Sequence, residues 1–328
     1  MEKIDFVTLW VDPSDKKWQK DHMKYSGKKP MDFIRYRDWD NLQYFFRGIE
    51  KNAPWVNKIY FITYGHVPKW LNTKNEKIVI VNHKDFIPKE YLPTFNSNVI
   101  EMNLWRIKEL SNKFVLFNDD LFLTKKVEPT DFFIGDNVVD TYSEKILLNS
   151  KPKDKFYHAM FNNIGIINEE FNKRKFHKRN FTKVFNLKNG KKVLNTLYLL
   201  RCPEFTGFED PHLCQAFKKE MFIKAAHDNK DFFIHTYNNK FRSRGDITQY
   251  LIRYKQLLSG EFINREPNFG RGFPLGNDNS LAIKSIINQE YKVICLNDSY
   301  EITDFEKTKK EIKDAFEQIY PIKSTFEK

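Results

Sequence analysis

The sequence predicts an α/β fold in which most strands of the sheet are parallel. Short apolar runs of the kind that form buried strands alternate along the chain with segments whose apolar residues recur at helical spacing. Strands that alternate with helices favour a parallel sheet covered by helices. The chain has 328 residues, of which 41% are hydrophobic and 16% aromatic, so it can bury a large core.

Five apolar runs are predicted to be strands of this sheet. They are Ile4–Trp10, Lys58–Thr63, Ile78–Val81, Lys113–Phe117 and Val293–Leu296. Between them, a first helix is predicted from an apolar face formed by Leu42, Phe45, Phe46 and Ile49. We expect Asp38 or Asp40 to cap the start of this helix, and Pro54 follows its end.

Two further helices are predicted in the last third of the chain. The apolar face of the first is formed by Ile247, Tyr250, Leu251 and Tyr254. The second runs from Asp304 to about Ile319. We expect a capping box of Thr303 and Glu306 to open it and Pro321 to close it.

The middle of the chain differs in composition from the rest. Residues 140–200 are rich in Lys and Asn and lack clean periodicity, although Asn163–Asn168 could form a strand. We interpret this part as an accessory insertion between two halves of one nucleotide-binding fold. The predicted units are therefore 1–140, 141–200 and 201–328.

The net charge favours polyanionic partners. The chain has 55 Lys and Arg against 43 Asp and Glu, a formal charge of +12. Five positive charges lie in Lys173–Arg179, which is interpreted either as a solvated loop or helix face or as a patch for an anionic membrane surface. Because no RNA- or DNA-binding signature accompanies this segment, nucleic acid is not an expected partner.

Cysteine usage and hydropathy indicate a cytoplasmic protein. Cys202, Cys214 and Cys295 lack CxxC spacing, which favours reduced thiols over disulfides or a zinc site. No segment approaches the ~18–20 apolar residues that cross a bilayer. The first residues lead into a predicted strand without the apolar core of a signal peptide. We expect the protein in the cytoplasm, either free or peripheral at the inner face of the plasma membrane.

The most informative segment is Asn118-Asp119-Asp120, which directly follows the fourth predicted strand. In α/β sheets, ligands bind beyond the carboxyl ends of strands. Two adjacent carboxylates repel each other unless a cation, a proton or hydrogen-bond donors compensate. They indicate either a site for Mg²⁺ or Mn²⁺ or an ordinary turn or helix cap. The fifth predicted strand also ends in Asn297-Asp298, which suggests a shared cation or phosphate site.

Histidine and arginine side chains could complement these acids. His212 follows Pro211 in a loop-like stretch, and an ordinary histidine pKa of ~6.5 suits deprotonation of a hydroxyl group. Alternatively, His212 is a polar residue satisfied within the fold. Arg242 and Arg244 precede the helix of Ile247, where they could clamp a phosphate at a helix N-terminus or form a basic surface turn.

Four groups of motifs occur in order along nearly the whole chain. They are residues 6–15; then 35–42, 52–57, 67–72, 92–97 and 117–120; then 210–212 and 240–242; and finally 295–298. In this order they resemble conserved regions one to four of the Stealth family of hexose-1-phosphate transferases. That family includes bacterial capsular polysaccharide phosphotransferases and the animal N-acetylglucosamine-1-phosphotransferase of lysosomal enzymes.

The resemblance implies a glycosyltransferase-A-like Rossmann core and a nucleotide-sugar donor, a UDP-hexose or UDP-N-acetylhexosamine. It implies that sugar-1-phosphate is transferred to a glycan hydroxyl in capsular or exopolysaccharide biosynthesis. A phosphodiester forms and a nucleoside monophosphate leaves. The acceptor could be lipid-linked.

The resemblance also implies roles for individual residues. Catalytic candidates are His212, Asp120, Arg242 and Asn118. Donor-binding candidates are Trp10, Asp12, Arg35, Asp38 and Arg244. Candidate ligands of Mg²⁺ or Mn²⁺ are Asp119, Asp120, Asn297 and Asp298.

In the expected mechanism, His212 is the general base and Arg242 stabilises the charge of the transferred phosphoryl group. A covalent phosphohistidine, or Asp120 as the base, is also compatible with the sequence. Two alternatives concern the whole protein. One is an ordinary metal-dependent glycosyltransferase, which releases nucleoside diphosphate, and the other is a non-enzymatic, basic polyanion-binding protein.

Overall fold

The computed structural model describes residues 2–28, 36–148, 153–299 and 301–328. The strands are β1 (Ile4–Leu9), β2 (Ile59–Thr63), β3 (Ile78–Asn82), β4 (Lys113–Phe117), β5 (Leu121–Leu123), β6 (Phe133–Ile134), β7 (Asn137–Asp140), β8 (Gln215–Lys218), β9 (Phe262–Asn264), β10 (Gly270–Pro274) and β11 (Val293–Asn297).

The α-helices cover the sheets and fill the segment between β7 and β8. They are α1 (Lys16–Ser26), α2 (Leu42–Asn52), α3 (His83–Phe86), α4 (Ser97–Met102), α5 (Lys155–Glu170), α6 (Lys173–Arg179), α7 (Phe181–Val184), α8 (Lys192–Tyr198), α9 (Lys219–Asp228), α10 (Lys230–Tyr237), α11 (Gln249–Leu258), α12 (Ser280–Ile287) and α13 (Phe305–Ile319).

The central sheet has five strands in the order β3-β2-β1-β4-β8. Its first four strands are parallel, and β8 is antiparallel to β4. Two smaller sheets have the orders β10-β11-β5 and β6-β7-β9. The predicted α/β class with a mainly parallel sheet is confirmed. All five predicted strands are present with ends shifted by at most one residue, although β11 belongs to a smaller sheet.

The core is centred on β1 and β4. Phe6 of β1 and Phe117 of β4 are fully buried, with ring centroids 4.8 Å apart. Phe45 of α2 packs on the same side, 5.5 Å from Phe117. Because helices cover both faces of a parallel sheet, its strands read as continuous apolar runs. This burial explains why the strands were predictable from the sequence.

Helix α2 approaches the small sheet closely. Its predicted apolar face is buried, and a Cβ atom at Gly48 would lie 2.8 Å from the carbonyl oxygen of Leu123. Only glycine fits such an approach without a shift of the backbone. The contact fixes the position of β5, which directly follows the acidic turn 118–120.

The predicted N-terminal caps of α2 and α13 were wrong, whereas both helices end just before the predicted prolines, Pro54 and Pro321. Asn41 occupies the N-cap position of α2 and makes no capping hydrogen bond with its side chain. Asp38 accepts a hydrogen bond from the backbone N–H of Asp40 instead. In α13 the N-cap is Asp304, whose side chain accepts from a backbone N–H of the first turn, so Thr303 does not open the helix. Several neighbouring residues are good caps, and propensity alone does not choose among them.

The predicted strand Asn163–Asn168 is wrong, because these residues lie within α5. The buried face of this helix includes Met160, Asn163, Ile164 and Ile167, which follow helical spacing. Isoleucine is β-branched and favours strands, which explains the incorrect prediction. Burial of a helical face against the neighbouring helix α11 outweighs that preference.

The basic segment Lys173–Arg179 forms α6, and one of its five cations is not solvated. Lys173 is buried, and its Nζ lies 2.7 Å from a carboxylate oxygen of the buried Glu144. The other oxygen of Glu144 lies 2.6 Å from Nε2 of His177. The charge patch therefore contains four exposed basic residues. Within the described ranges, no helix has the length and apolar character needed to cross a bilayer.

Candidate active site

The carboxyl ends of β1, β2 and β4 meet at one edge of the central sheet. The parallel register pairs Thr8 with Phe117 and Leu9 with Ile62. The loops that follow these three strands therefore leave the sheet side by side. This edge is where α/β sheets bind their ligands.

The loop after β1 is held by His66, which was not among the predicted site residues. The backbone N–H of Asp12 donates to Nε2 of His66 at 2.7 Å, and the rings of Trp10 and His66 meet edge-on at 5.4 Å. Gly65 has φ +122°, and a Cβ atom there would lie 2.6 Å from Nδ2 of Asn82. Burial lowers the pKa of His66, which favours the neutral ring that accepts this hydrogen bond.

The acidic turn 118–120 lies beside the end of β11. The backbone N–H of Leu296 donates to the carbonyl oxygen of Asp120 at 2.9 Å. The Sγ atom of Cys295 lies 3.3 Å from Oδ2 of Asp120 and 3.4 Å from Oδ1 of Asn297. The structure thus brings together the two strand ends that carry Asn-Asp, because β11 pairs with β5 directly after the turn.

His212 reaches the same corner from a distant part of the chain. Its Nε2 lies 2.9 Å from Nδ2 of Asn118 and 3.8 Å from Oδ2 of Asp120. When the Asn118 amide donates this hydrogen bond, His212 is neutral and carries its proton on Nδ1. The His212 side chain is 43% exposed, so the ring is accessible to a substrate.

A buried arginine outside the predicted set anchors the loop that carries His212. Arg253 of α11 is fully buried and donates to Oδ2 of Asp140 at 2.8 Å and to Oδ1 of Asp210 at 2.7 Å. The hydroxyl of Tyr254 donates to the other oxygen of Asp210 at 2.6 Å. Burial raises the pKa of Asp210 to about 6, although the charge of Arg253 opposes this shift. Asp210 is two residues from His212, so these contacts restrict the position of the histidine.

The negative charges of the two adjacent carboxylates, Asp119 and Asp120, are not fully balanced by hydrogen-bond donors or cations among the described residues. Oδ1 of Asp120 is buried and has no hydrogen-bond partner among the described residues. Burial, and then the charge of Asp120, raise the pKa of Asp119 to about 7. The Asp119 residue nevertheless keeps exposed surface. A bound cation would relieve both features.

The available ligand atoms fit a hard divalent cation. Ligand atoms of Asp120, His212 and Cys295 lie within 4.8 Å of one another. However, burial raises the pKa of the Cys295 thiol far above its usual range, so the sulfur keeps its proton and is a poor metal ligand. Asp120 and Asn297 supply carboxylate and amide oxygens, which Mg²⁺ and Mn²⁺ prefer. Asp119, another predicted ligand, is exposed and is not part of this cluster of ligand atoms.

Asp298 contacts the segment that precedes α2. Its carboxylate accepts a hydrogen bond from Nε1 of Trp39 at 3.2 Å and lies 3.4 Å from NH1 of Arg37. Burial raises the pKa of Asp298, and Arg37 partly offsets this shift. Arg37 and Trp39 flank the predicted donor-binding residue Asp38, which is exposed. Arg35 lies outside the described residues.

The two arginines of the predicted phosphate clamp have different surroundings. NH2 of Arg242 donates to Oγ of Ser97 at 2.6 Å, and its charge acts on Glu101. Burial raises the pKa of Glu101 to about 7, although Arg242 lowers it. Arg244 is exposed, and its backbone carbonyl accepts a hydrogen bond from Asn162.

Tyr250 is the second residue of helix α11. Burial raises the pKa of its hydroxyl, and the charges of Asp210, Glu101 and Cys295 act in the same direction. Helix α11 begins two residues after Ile247, which the sequence-based prediction placed inside it.

These observations define an α/β protein with an acidic, histidine-containing corner that fits a divalent cation. Residues 35–141 match the family model for Stealth protein CR2, conserved region 2, and residues 284–328 match Stealth protein CR4, conserved region 4. Capsular polysaccharide phosphotransferase WcwK of Streptococcus pneumoniae is 44% identical over 335 residues, which cover 100% of this chain and 99% of the relative. The chain belongs to the Stealth family, as the resemblance of its motifs predicted.

Other relatives carry related names. Exopolysaccharide phosphotransferase cps2G of Lactiplantibacillus plantarum is 38% identical, and the match covers 99% of this chain and 96% of that protein. Among solved structures, the galactosyltransferase LgtC overlaps 94% of this chain and 95% of its own, with a TM-score of 0.40 and 9% sequence identity.

Proposed function

We propose that this protein is a sugar-1-phosphate transferase of capsular or exopolysaccharide biosynthesis. It transfers a hexose-1-phosphate or N-acetylhexosamine-1-phosphate from a UDP-sugar to a hydroxyl group of a glycan, carried on a lipid-linked oligosaccharide or a growing polymer. The observation that supports this most is the convergence of His212, Asn118 and Asp120 at the ligand-binding edge of the sheet. The names of relatives that match the full chain support the same reaction class.

In the proposed reaction, the acceptor oxygen attacks the phosphorus atom that bears the sugar. The new P–O bond completes a phosphodiester, and the bond to the second phosphate of the donor breaks to release nucleoside monophosphate. Nε2 of His212 takes the proton of the acceptor hydroxyl. In this role Nε2 first accepts the hydrogen bond from Asn118 and then exchanges it for the acceptor hydroxyl.

The acidic residues are proposed to hold the cation. Asp119, Asp120 and Asn297 would hold Mg²⁺ or Mn²⁺, and Asp298 remains a fourth candidate ligand. When bound, the ion supplies positive charge to the diphosphate oxygens of the donor. Arg242 is proposed to stabilise charge on the transferred phosphoryl group, a contribution of several kcal/mol at most.

The remaining candidates are proposed to bind the nucleotide-sugar. Oδ1 of Asp12 accepts hydrogen bonds from the N–H and the hydroxyl of Ser14, which orients this carboxylate at the end of β1. Trp10 offers a partly buried indole beside it. We also propose, from the sequence alone, that the donor is bound by Asp38, Arg35 and Arg244.

The test measures which nucleotide is released. Purified protein, a panel of nucleotide-sugars, Mg²⁺ and the glycan acceptor are combined, and products are followed by ³¹P NMR. We expect nucleoside monophosphate and a new phosphodiester signal. His212→Gln should lower turnover by about 10²–10⁴-fold, as expected for a general base, while the donor Kd stays within about threefold.

A matched control is available in the exposed His227, which pairs with Asp228. His227→Gln should leave turnover unchanged. Release of nucleoside diphosphate would identify an ordinary glycosyltransferase instead. Polyanion binding without turnover of any nucleotide-sugar would favour the non-enzymatic alternative. If His212→Gln weakened donor binding as much as turnover, the histidine would have a structural role.

A further inference from the structure

Most of the net charge of this protein lies in one helical segment. Residues 171–203, which contain α6, α7 and α8, include ten Lys and Arg and neither Asp nor Glu. Since the formal charge of the whole chain is +12, the other 295 residues carry a formal charge of only +2. The electrostatic attraction of polyanions is therefore concentrated on this segment.

The same segment exposes large apolar side chains. Exposed fractions reach 63% for Phe181, 63% for Leu194, 46% for Leu197 and 68% for Tyr198. An open groove of about 400 Å³ lies between the helices and is lined by residues that include Phe181, Leu197 and Leu200. Soluble monomers rarely expose contiguous apolar surface of this kind unless it binds a partner.

The basic and apolar residues adjoin one another. Arg174, Lys175, Lys178 and Arg179 of α6 are exposed, and Lys178 also lines the groove beside Phe181. Exposed cations beside exposed leucine and aromatic side chains are complementary to a bilayer whose anionic headgroups cover an apolar interior. Nucleic acid would satisfy the cations but not the apolar groove.

We propose that α6, α7 and α8 form a docking surface for an anionic lipid bilayer. The cations of α6 contact lipid phosphates, while Phe181, Leu194 and Leu197 enter the boundary between headgroups and acyl chains. This inference extends the charge patch of α6 to an amphipathic surface with its own apolar part. It goes beyond the proposed reaction and does not depend on it.

The docking surface adjoins the loop of His212. Nζ of Lys192 lies 3.4 Å from a carboxylate oxygen of Glu209, three residues before His212, and the backbone carbonyl of Lys192 accepts a hydrogen bond from Ser143. A bilayer bound at α6 to α8 therefore lies on the side of the molecule that carries this loop. That position suits an acceptor glycan attached to a membrane lipid.

The test is sedimentation of the full-length protein with lipid vesicles, without substrate. We expect binding to vesicles of equal parts phosphatidylglycerol and phosphatidylcholine, weakened by salt, and little binding to phosphatidylcholine alone. Neutralising α6 with Arg174→Gln, Lys175→Gln, Lys178→Gln and Arg179→Gln should weaken binding by about 100-fold or more. The double variant Leu194→Gln, Leu197→Gln should weaken it by about tenfold or more and leave the salt dependence unchanged.

The matched control removes the same charge outside the segment, at the exposed Lys230, Lys307, Lys310 and Lys323. Changed to Gln, these should alter binding by less than about threefold, because only cations near the bilayer contribute. Equal loss in the control would show unspecific attraction and overturn the proposal. So would binding to an RNA oligonucleotide but not to vesicles, or a dimer that covers the groove and does not bind vesicles. Nucleoside monophosphate release is scored separately, so failure of docking and failure of the reaction are distinguishable.

Discussion

Arg253→Met tests whether one buried arginine holds the loop of His212. The guanidinium donates to both oxygens of Asp140, to Asp210 and to the backbone carbonyls of Glu209 and Thr141. Methionine fills most of the volume and leaves the buried Asp140 and the partly buried Asp210 without this cation. Breaking a buried ion pair in this way costs about 3–5 kcal/mol.

The expected change is large enough to measure directly. With an unfolding entropy of ~2.1 cal/mol/K per residue, a chain of 328 residues loses about 4–7 °C in Tm. Thermal and urea unfolding followed by circular dichroism measure this change. Arg201→Met, at an exposed arginine, is the control and should change stability by less than about 0.5 kcal/mol.

A double-mutant cycle separates the free energy of the Arg253–Asp210 contact from that of the other contacts of Arg253. Asp210→Asn removes one unpaired charge, so the double variant should recover about 1–3 kcal/mol relative to the sum of the single variants. Turnover should fall in Arg253→Met, because His212 is less restricted. Strict additivity, or a Tm equal to that of the unmodified protein, would refute the reasoning.

Two further predictions concern a buried acid and the proposed cation site. Because burial raises the folded pKa of Glu101 from 4.5 to about 7, this residue's contribution to stability is present below about pH 4.5 and is lost as pH rises through 7. Relative to the unmodified protein, Glu101→Gln should therefore gain on the order of 3 kcal/mol of unfolding free energy between pH 4.5 and 7.5, measured by urea unfolding at a series of pH values. The same dependence of the unfolding free energy on pH in both proteins would contradict this. Asp120→Asn should raise the Mg²⁺ concentration for half-maximal turnover by about tenfold or more, whereas the exposed Asp314→Asn should not. An unchanged Mg²⁺ requirement in Asp120→Asn would show that Asp120 is not a ligand.

Local sequence predicted the parts of the site that lie at strand ends. The buried strands of a parallel sheet are continuous apolar runs, so Lys113–Phe117 could be predicted as a strand. The acidic residues that follow it could then be assigned to the end of that strand. Arg253 carried no such signal, because it lies outside the predicted apolar face of α11 formed by Ile247, Tyr250, Leu251 and Tyr254. Its burial requires a charged partner. The sequence did not predict which residue this partner is, because Asp140 is 113 residues away along the chain.

His66 had no local signal at all, and Cys295 belonged to the motif 295–298 without a predicted role of its own. A lone cysteine inside an apolar strand and a lone histidine after a glycine are ordinary residues in a sequence. Their roles follow from which loops the sheet brings side by side.

By itself, the sequence determined the α/β class, the buried strands and the membership of the Stealth family, because apolar periodicity and ordered motifs are local properties of the chain. The tertiary structure alone decided that His212 meets Asn118 and Asp120, that Cys295 lies between two acidic strand ends, and that Lys173 is buried while its neighbours are exposed. Distances between residues far apart in sequence depend on strand pairing and helix packing, and hydrogen-bond partners are chosen only after those contacts have formed.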